Sequence, residues 1–194
     1  MEDAHITEEQ LFAVKDSEKT ELPGHSMFAV FDGHGGSYAA HYAAANLVRV
    51  FSKQEKLLGY AQFIKERLEK EASMDESKRG SYIQGGLELL EGALADAFVE
   101  VDREIALALR GQCLEEAIDP FHANSAQIAN SQNASAGGEE DPGEPHAPSR
   151  EDEVDSGTTA CLVIVTPEWV VCANAGDSRA VISRVGAKAV PLSF

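Results

Sequence analysis

Two short stretches of the sequence combine titratable side chains with glycines in a pattern that suits catalysis. The first, FAVFDGHGG at residues 28–36, places Asp32 at the end of an apolar run and follows it with Gly33 and His34. A carboxylate at the end of a buried strand is costly unless it is paired or binds a cation. Hard divalent cations take carboxylate and carbonyl oxygens, and glycine leaves its carbonyl approachable. The stretch therefore predicts a Mg²⁺-type or Mn²⁺-type oxygen site at Asp32.

His34 and Asp177 are further candidates, and each has a simpler structural explanation. His34 stands between glycines, where an accessible imidazole could donate a proton near neutral pH. The alternative is a structural role, in which the imidazole is hydrogen-bonded to the backbone of the turn. Asp177 lies in ANAGDSRA, residues 173–180, between two predicted strands. An Asp side chain in such a turn commonly accepts a hydrogen bond from the backbone close to it. The local pattern therefore leaves open whether Asp177 has a structural or a metal-binding role.

The spacing of apolar residues predicts the strands and helices that position these residues. Residues 10–15 and 26–31 are short runs rich in Phe and Val on either side of a Pro-Gly turn, so we expect two paired strands. Helical spacing begins after residue 37, with Ser37 as the expected N-cap. Two more helices are predicted at about 60–72 and 84–110.

The last forty residues read as a strand meander. TTACLVIVT and WVVCANAG are β-branched runs separated by Pro-Glu, which is a hairpin pattern, and a further strand pair is expected around Gly186. Helices are grouped together and do not alternate with strands, which favours an antiparallel sheet. We therefore predict an α+β fold.

Residues 111–155 have a different composition. They show no apolar period, and residues 139–155 carry eight Asp or Glu against one Arg. A segment this long without a packing pattern predicts a disordered acidic insertion within one domain of residues 1–194.

The overall charge narrows the range of partners. The chain has 33 Asp or Glu, 16 Lys or Arg and a formal net charge of −17. Such a surface repels nucleic acid and anionic membranes, so we expect neither as a partner. The acidic N-terminus does not resemble a secretory signal, and the three cysteines lack metal-site spacing. We expect a monomer with reduced thiols, in the cytoplasm or the nucleus.

Four motifs, taken in order, resemble the metal-dependent protein phosphatases of type 2C (PPM-type). They are MEDAH at 1–5, FAVFDGHGG at 28–36, SGTTA at 156–160 and ANAGDSRA at 173–180. The resemblance implies two stacked antiparallel β-sheets flanked by helices, an α-β-β-α sandwich. It also implies hydrolysis of phosphoserine and phosphothreonine in proteins by a metal-activated water.

The resemblance assigns roles residue by residue. Asp32 would bridge two Mn²⁺ or Mg²⁺ ions, with Glu2 and the Gly33 carbonyl completing one of them. Asp3 would lie in the hydrogen-bonded shell around metal-bound water. His34 would be the general acid for the leaving alcohol. Asp177 would bind a third, weaker metal.

The chain departs from the family pattern in three places. The acidic insertion lies where the family commonly has a shorter connection. The phosphate-binding Arg that precedes the first motif and the later Asp-Gly and Asp-Asn metal ligands have no counterpart in the sequence. We therefore expect a domain that is incomplete at its C-terminus, with weak metal binding and little or no turnover.

Two other classes remain open. One is a catalytically inactive binding or regulatory module derived from such a phosphatase. The other is a generic acidic Ca²⁺-binding protein, although no EF-hand spacing occurs in the sequence.

Overall fold

A four-stranded antiparallel sheet with helices against one face organises the chain. The computed structural model describes residues 2–112, 114–118, 155–186 and 189–194. The strands are β1 (Ala4–Glu8), β2 (Leu11–Lys15), β3 (Glu18–Leu22), β4 (Ser26–Phe31), β5 (Gly33–His34), β6 (Gly157–Thr158), β7 (Ala160–Val165), β8 (Val170–Ala175), β9 (Val181–Ile182) and β10 (Val190–Pro191). The helices are α1 (Tyr38–Ser52), α2 (Glu55–Ser73) and α3 (Glu76–Leu109).

The central sheet has the strand order β1-β4-β7-β8. Three two-stranded pairs accompany it, β2 with β3, β5 with β6 and β9 with β10. Ala4 pairs with Phe31, and Ala160 pairs with Ala175. The residues just outside these pairs, at 2–3, 32–34, 157–159 and 176–178, therefore lie at the same end of the sheet.

The two faces of the sheet differ because side chains alternate along each strand. Met27, Ala29 and Phe31 of β4 are buried and belong to the core that α1, α2 and α3 cover. Phe28 and Val30 point to the opposite face and are 42% and 54% exposed. The α+β class is confirmed. A second sheet stacked on this exposed face stays a prediction.

The predicted pairing of residues 10–15 with 26–31 is wrong. β2 pairs with β3 through a two-residue turn at Asp16 and Ser17, which both have positive φ. β4 pairs instead with β1 and β7. The pattern missed β3 because its sequence, EKTEL, is mostly polar and exposed.

The three helices are confirmed, with bounds that differ from the predicted ones. Gln54 is extended and separates α1 from α2, so the run after residue 53 belongs to the second helix. Asp75 is extended in the same way and allows α3 to begin eight residues before the predicted start, at Glu76. The apolar stripe of α3 packs into the core, where Leu90, Leu94 and Val101 are buried.

Most of the predicted insertion, residues 119–154, lies outside the described residues. The described start of this predicted insertion contacts α1, because Asn46 donates to the Ile118 carbonyl oxygen and accepts its backbone N–H, both at 2.8 Å. Cys161 and Cys172 are free thiols, and Cys113 lies outside the described residues. None of the helices described is long and apolar enough to cross a membrane.

Candidate metal centre

The turn at Asp32 is tied to the start of β7 by main-chain and hydroxyl hydrogen bonds. The Thr159 N–H donates to the Asp32 carbonyl oxygen at 2.9 Å, and the Thr158 hydroxyl donates to the same oxygen at 3.2 Å. The Asp32 N–H donates to Oγ1 of Thr159 at 3.3 Å. The backbone of Asp32 is therefore fixed, while its side chain is exposed.

Glu2 reaches the same turn through its backbone. A β-carbon added at Gly33 would lie 2.2 Å from the carbonyl oxygen of Glu2, well inside contact distance. Only glycine permits this approach. The close packing brings the first acidic residue of the chain against the residue that follows Asp32.

Asp3 and Asp32 line one cavity of about 690 Å³ on the exposed face of the sheet. Ser178 and Arg179 line it from the loop after β8. The Arg179 guanidinium donates to the carbonyl oxygens of Gly176 at 3.3 Å and Ser178 at 2.9 Å. The cavity thus combines two carboxylates with a guanidinium that is held against its own loop.

Asp177 stands between two residues that contact Thr159. Oγ of Ser178 lies 2.7 Å from Oγ1 of Thr159. Gly176 has a φ of +102°, and a β-carbon there would lie 2.8 Å from Cγ2 of Thr159. The Asp177 side chain itself is exposed. The loop that carries it is therefore anchored to the residue that also holds the Asp32 turn.

His34 pairs with Gly157 in the short β5–β6 ladder. Its side chain is exposed at the same end of the sheet as Asp32. Ladder pairing fixes the backbone of His34 while the imidazole stays accessible, which suits proton transfer to a bound molecule.

A serine from a distant part of the chain caps the helix that follows this turn. Ser37 occupies the N-cap position of α1 but makes no capping hydrogen bond with its side chain. Oγ of Ser156 instead accepts the Ala39 N–H at 3.0 Å and donates to the Gly36 carbonyl oxygen at 3.0 Å. Sequence reasoning missed this role and those of Thr159 and Ser178. The clustered hydroxyls of SGTTA and GDSR were the available signal.

The donor chemistry of this end of the sheet fits a hard divalent cation in part. Carboxylates of Asp3 and Asp32 share a cavity, and Glu2 packs on Gly33. Oxygen donors of this kind are the usual ligands of Mg²⁺ and Mn²⁺. Within the described part of the chain, however, no three His, Cys, Asp or Glu side chains converge closely enough to hold an ion. The chemical type and the location of these oxygen atoms therefore suit such a cation, but the described residues do not form a complete ligand shell.

The structure is therefore an α+β domain in which turns that carry Asp and His side chains surround one end of the central sheet. The family model described as Protein phosphatase 2C matches residues 1–114 and 107–194. The chain belongs to the protein phosphatase 2C family.

Individual relatives agree with this assignment. The chain is 30% identical over 193 residues to protein phosphatase 2C homolog 2 of Hypocrea jecorina, covering 100% of this chain and 28% of the relative. It is 29% identical over 194 residues to a probable protein phosphatase 2C, T23F11.1, of Caenorhabditis elegans, covering 100% and 33%. The chain thus spans about a third of the length of these relatives.

One solved structure is also similar. It is the crystal structure of serine-threonine phosphatase 2C from Toxoplasma gondii, with a TM-score of 0.48 and 16% identity. The match covers 99% of this chain and 49% of that one.

Proposed function

We propose that this chain is the N-terminal part of a Mn²⁺- or Mg²⁺-dependent protein phosphatase domain, acting on phosphoserine and phosphothreonine. The observation that carries the proposal is the convergence of all four motifs at one end of the central sheet, around Asp32. Residues 1–194 would be part of one such domain, interrupted by the acidic insertion at about 111–155. Family membership supports phosphatase chemistry in general.

The metal-binding roles follow the donors at this end. Asp32 would bridge two cations, and Glu2 and the Gly33 carbonyl oxygen would complete the shell of one. Asp177 would hold a third, weaker cation, and Asp3 would orient a water by hydrogen bonding. When bound, divalent cations lower the pKa of water and offset charge on phosphoryl oxygens.

His34 would act as the general acid. The exposed imidazole could protonate the departing serine or threonine oxygen, a role that contributes roughly 10²–10⁴ in rate. The free thiols of Cys161 and Cys172 are not needed as nucleophiles in this scheme. The net charge of −17 favours phosphoprotein partners that carry basic segments over nucleic acid, and we propose a monomer.

The first experiment measures Mn²⁺ binding to the 194-residue chain by electron paramagnetic resonance. We expect Asp32→Asn to weaken binding at least tenfold because it removes the charge of the proposed bridging ligand. Asp16→Asn is the matched control, since Asp16 lies in the β2–β3 turn with a φ of 48° that Asn tolerates. Equal binding by wild type and Asp32→Asn would contradict the metal site.

The second experiment measures hydrolysis of an aryl phosphate in Mn²⁺ by the same proteins. We expect turnover to be low in the wild-type chain and to disappear in Asp32→Asn. Turnover that survives in Asp32→Asn but is lost in Asp16→Asn would place the chemistry elsewhere.

A further inference from the structure

We propose that Thr159 is a positioning residue that couples the Asp32 turn to the Asp177 loop, and so sets where the Asp177 carboxylate lies relative to Asp32. The inference rests on the proposed function and deepens it. It concerns a residue that binds no cation in that scheme and acts only through its neighbours.

The hydroxyl of Thr159 contacts both halves of the site at once. Oγ1 accepts the Asp32 N–H at 3.3 Å and lies 2.7 Å from Oγ of Ser178. A hydroxyl has one donor and two acceptor positions, so both contacts can be satisfied together. The shorter contact is the one to the Asp177 loop.

The methyl group of Thr159 holds the other side of that loop. Cγ2 and Cβ would lie 2.8 Å and 2.9 Å from a β-carbon placed on Gly176, so the glycine packs directly on the threonine. Because χ1 of a β-branched residue is restricted, the hydroxyl and the methyl point in fixed directions. Thr159 therefore contacts both chain neighbours of Asp177, which are Gly176 and Ser178.

The backbone hydrogen bond of Thr159 allows the effect of its side chain on the Asp177 loop to be separated from the effect on the Asp32 turn. Its N–H donates to the Asp32 carbonyl oxygen at 2.9 Å, and the Thr158 hydroxyl reinforces the same oxygen. These bonds persist when only the Thr159 side chain is changed. Removing the hydroxyl therefore loosens the Asp177 loop more than the Asp32 turn.

The test is a double-mutant cycle on Mn²⁺ affinity in the 194-residue chain. Thr159→Val keeps the shape and removes the hydroxyl, and Thr159→Ser keeps the hydroxyl. We expect Thr159→Val to weaken the Asp177-dependent Mn²⁺ affinity about tenfold, the lower end of the effect of outer partners on metal sites. Thr159→Ser should cause a clearly smaller loss, of about twofold to threefold, since it keeps the contact to Ser178 and removes only the methyl contact to Gly176.

The same substitution in an Asp177→Asn background gives the decisive comparison. We expect Thr159→Val to have a much smaller effect there, because Asp177 no longer binds the cation and the Asp32 turn keeps its main-chain bond to Thr159. An undiminished loss in that background, or a loss in Thr159→Ser equal to that in Thr159→Val, would overturn the proposal.

Thr166→Val is the matched control. Thr166 is buried at the opposite end of the β7–β8 hairpin, and its hydroxyl accepts the Glu168 and Trp169 N–H groups. We expect it to lower the unfolding midpoint without changing the Mn²⁺ affinity. If it weakens Mn²⁺ binding as much as Thr159→Val, general loosening of the hairpin explains both, and the proposal fails.

A measurement without metal separates this proposal from the proposed function. In ¹H–¹⁵N spectra of the cation-free chain, Thr159→Val should shift the amide signals of Asp32 and of residues 176–179, whereas Thr159→Ser, which keeps the hydroxyl, should shift them less. Absence of Mn²⁺ binding by the wild type would refute the metal site, and the spectra would still decide the coupling. Unshifted amides of residues 176–179 in Thr159→Val would refute the coupling alone.

Discussion

The imidazole of His34 lies against the main chain of Gly157, its partner in the β5–β6 ladder. A β-carbon added at Gly157 would lie 2.5 Å from Nε2 and 2.8 Å from Cε1 of the imidazole. No side chain fits there unless the ring moves. The glycine of SGTTA therefore defines the position of the proposed general acid.

Gly157→Ala should displace the His34 ring while the sheet stays folded. We expect the His34 ring signals in ¹H–¹³C spectra to shift and those of His5, on β1, to stay in place. Gly80→Ala is the control, because nothing lies within 4 Å of a β-carbon at that helical glycine. That variant should be stabilised by roughly 0.5–1 kcal/mol. A His34 signal unmoved in Gly157→Ala would show that the ring does not depend on this contact.

Glu104 should be among the most sensitive polar positions in the helical layer. It is 3% exposed, accepts the Tyr42 hydroxyl at 3.1 Å and pairs with Arg49. Burial, followed by the Glu104 carboxylate, raises the pKa of Tyr42, which therefore remains a hydrogen-bond donor at all ordinary pH values. Truncation by Glu104→Ala removes the acceptor of the Tyr42 hydroxyl and the charge partner of Arg49, so we expect a loss of about 3 kcal/mol in the free energy of unfolding, measured in urea.

Two comparison variants make the Glu104 prediction specific. Glu104→Gln retains an acceptor and should cost less than Glu104→Ala. Glu100→Gln breaks only the exposed pair with Arg103 on the same helix, which we expect to change the free energy of unfolding by less than about 0.5 kcal/mol. Equal losses in Glu104→Ala and Glu100→Gln would contradict the distinction.

His25 should make folding sensitive to acid. The ring is 1% exposed, with Nε2 2.9 Å from the Tyr60 hydroxyl and Nδ1 2.9 Å from the Pro23 carbonyl oxygen. Burial lowers the pKa of His25 from its usual 6.5. The unfolded chain then binds the proton more readily, so stability is lost as the pH falls below about 6.5, by at most about 1.4 kcal/mol per pH unit for one proton.

His25→Gln should flatten this dependence. Urea unfolding at pH 7.5 and 5.5 measures it, and His41→Gln, which changes an exposed histidine of α1, should keep the wild-type slope. Arg67 and Glu168 line the same small cavity as His25 and form an ion pair with each other. A slope that is unchanged in His25→Gln would assign the acid sensitivity to other groups.

Ser156→Ala should destabilise the start of α1. It removes the acceptor of the Ala39 N–H and the donor to the Gly36 carbonyl oxygen, both within a buried contact. We expect a loss of about 1–2 kcal/mol, as for other lost helix caps. Ser73→Ala, at the exposed end of α2, is the control and should be nearly neutral in the same urea titration. The cap assignment fails if both variants lose the same stability.

Apolar periodicity predicted the elements better than their pairing. The apolar runs of β4, β7 and β8 and the helical stripe of α3 carry strong local patterns, and all are present. β3 carries no such pattern, because EKTEL lies on an exposed hairpin. Without β3, the partner of β2 could not be found, and β4 was paired with the wrong strand.

In the candidate site, too, residues that are close in sequence could be predicted and contacts between distant residues could not. Asp32 and His34 stand out within ten residues of sequence. The Ser156 cap of α1 joins residues 117 positions apart, and the contact between Asp32 and Thr159 joins residues 127 apart. No periodicity connects such distant positions, so the roles of these hydroxyls required the fold.

The pairing of β4 with both β1 and β7 also has a consequence for biosynthesis. Met27 pairs with Glu8 on one side and with Ile164, 137 residues later, on the other. At roughly 5–20 residues per second, a ribosome makes Ile164 roughly 7–27 s after Met27. During that interval an apolar strand edge waits for its partner, and distant pairings of this kind slow folding. We expect the nascent chain to be a client of chaperones until β7 has left the ribosome.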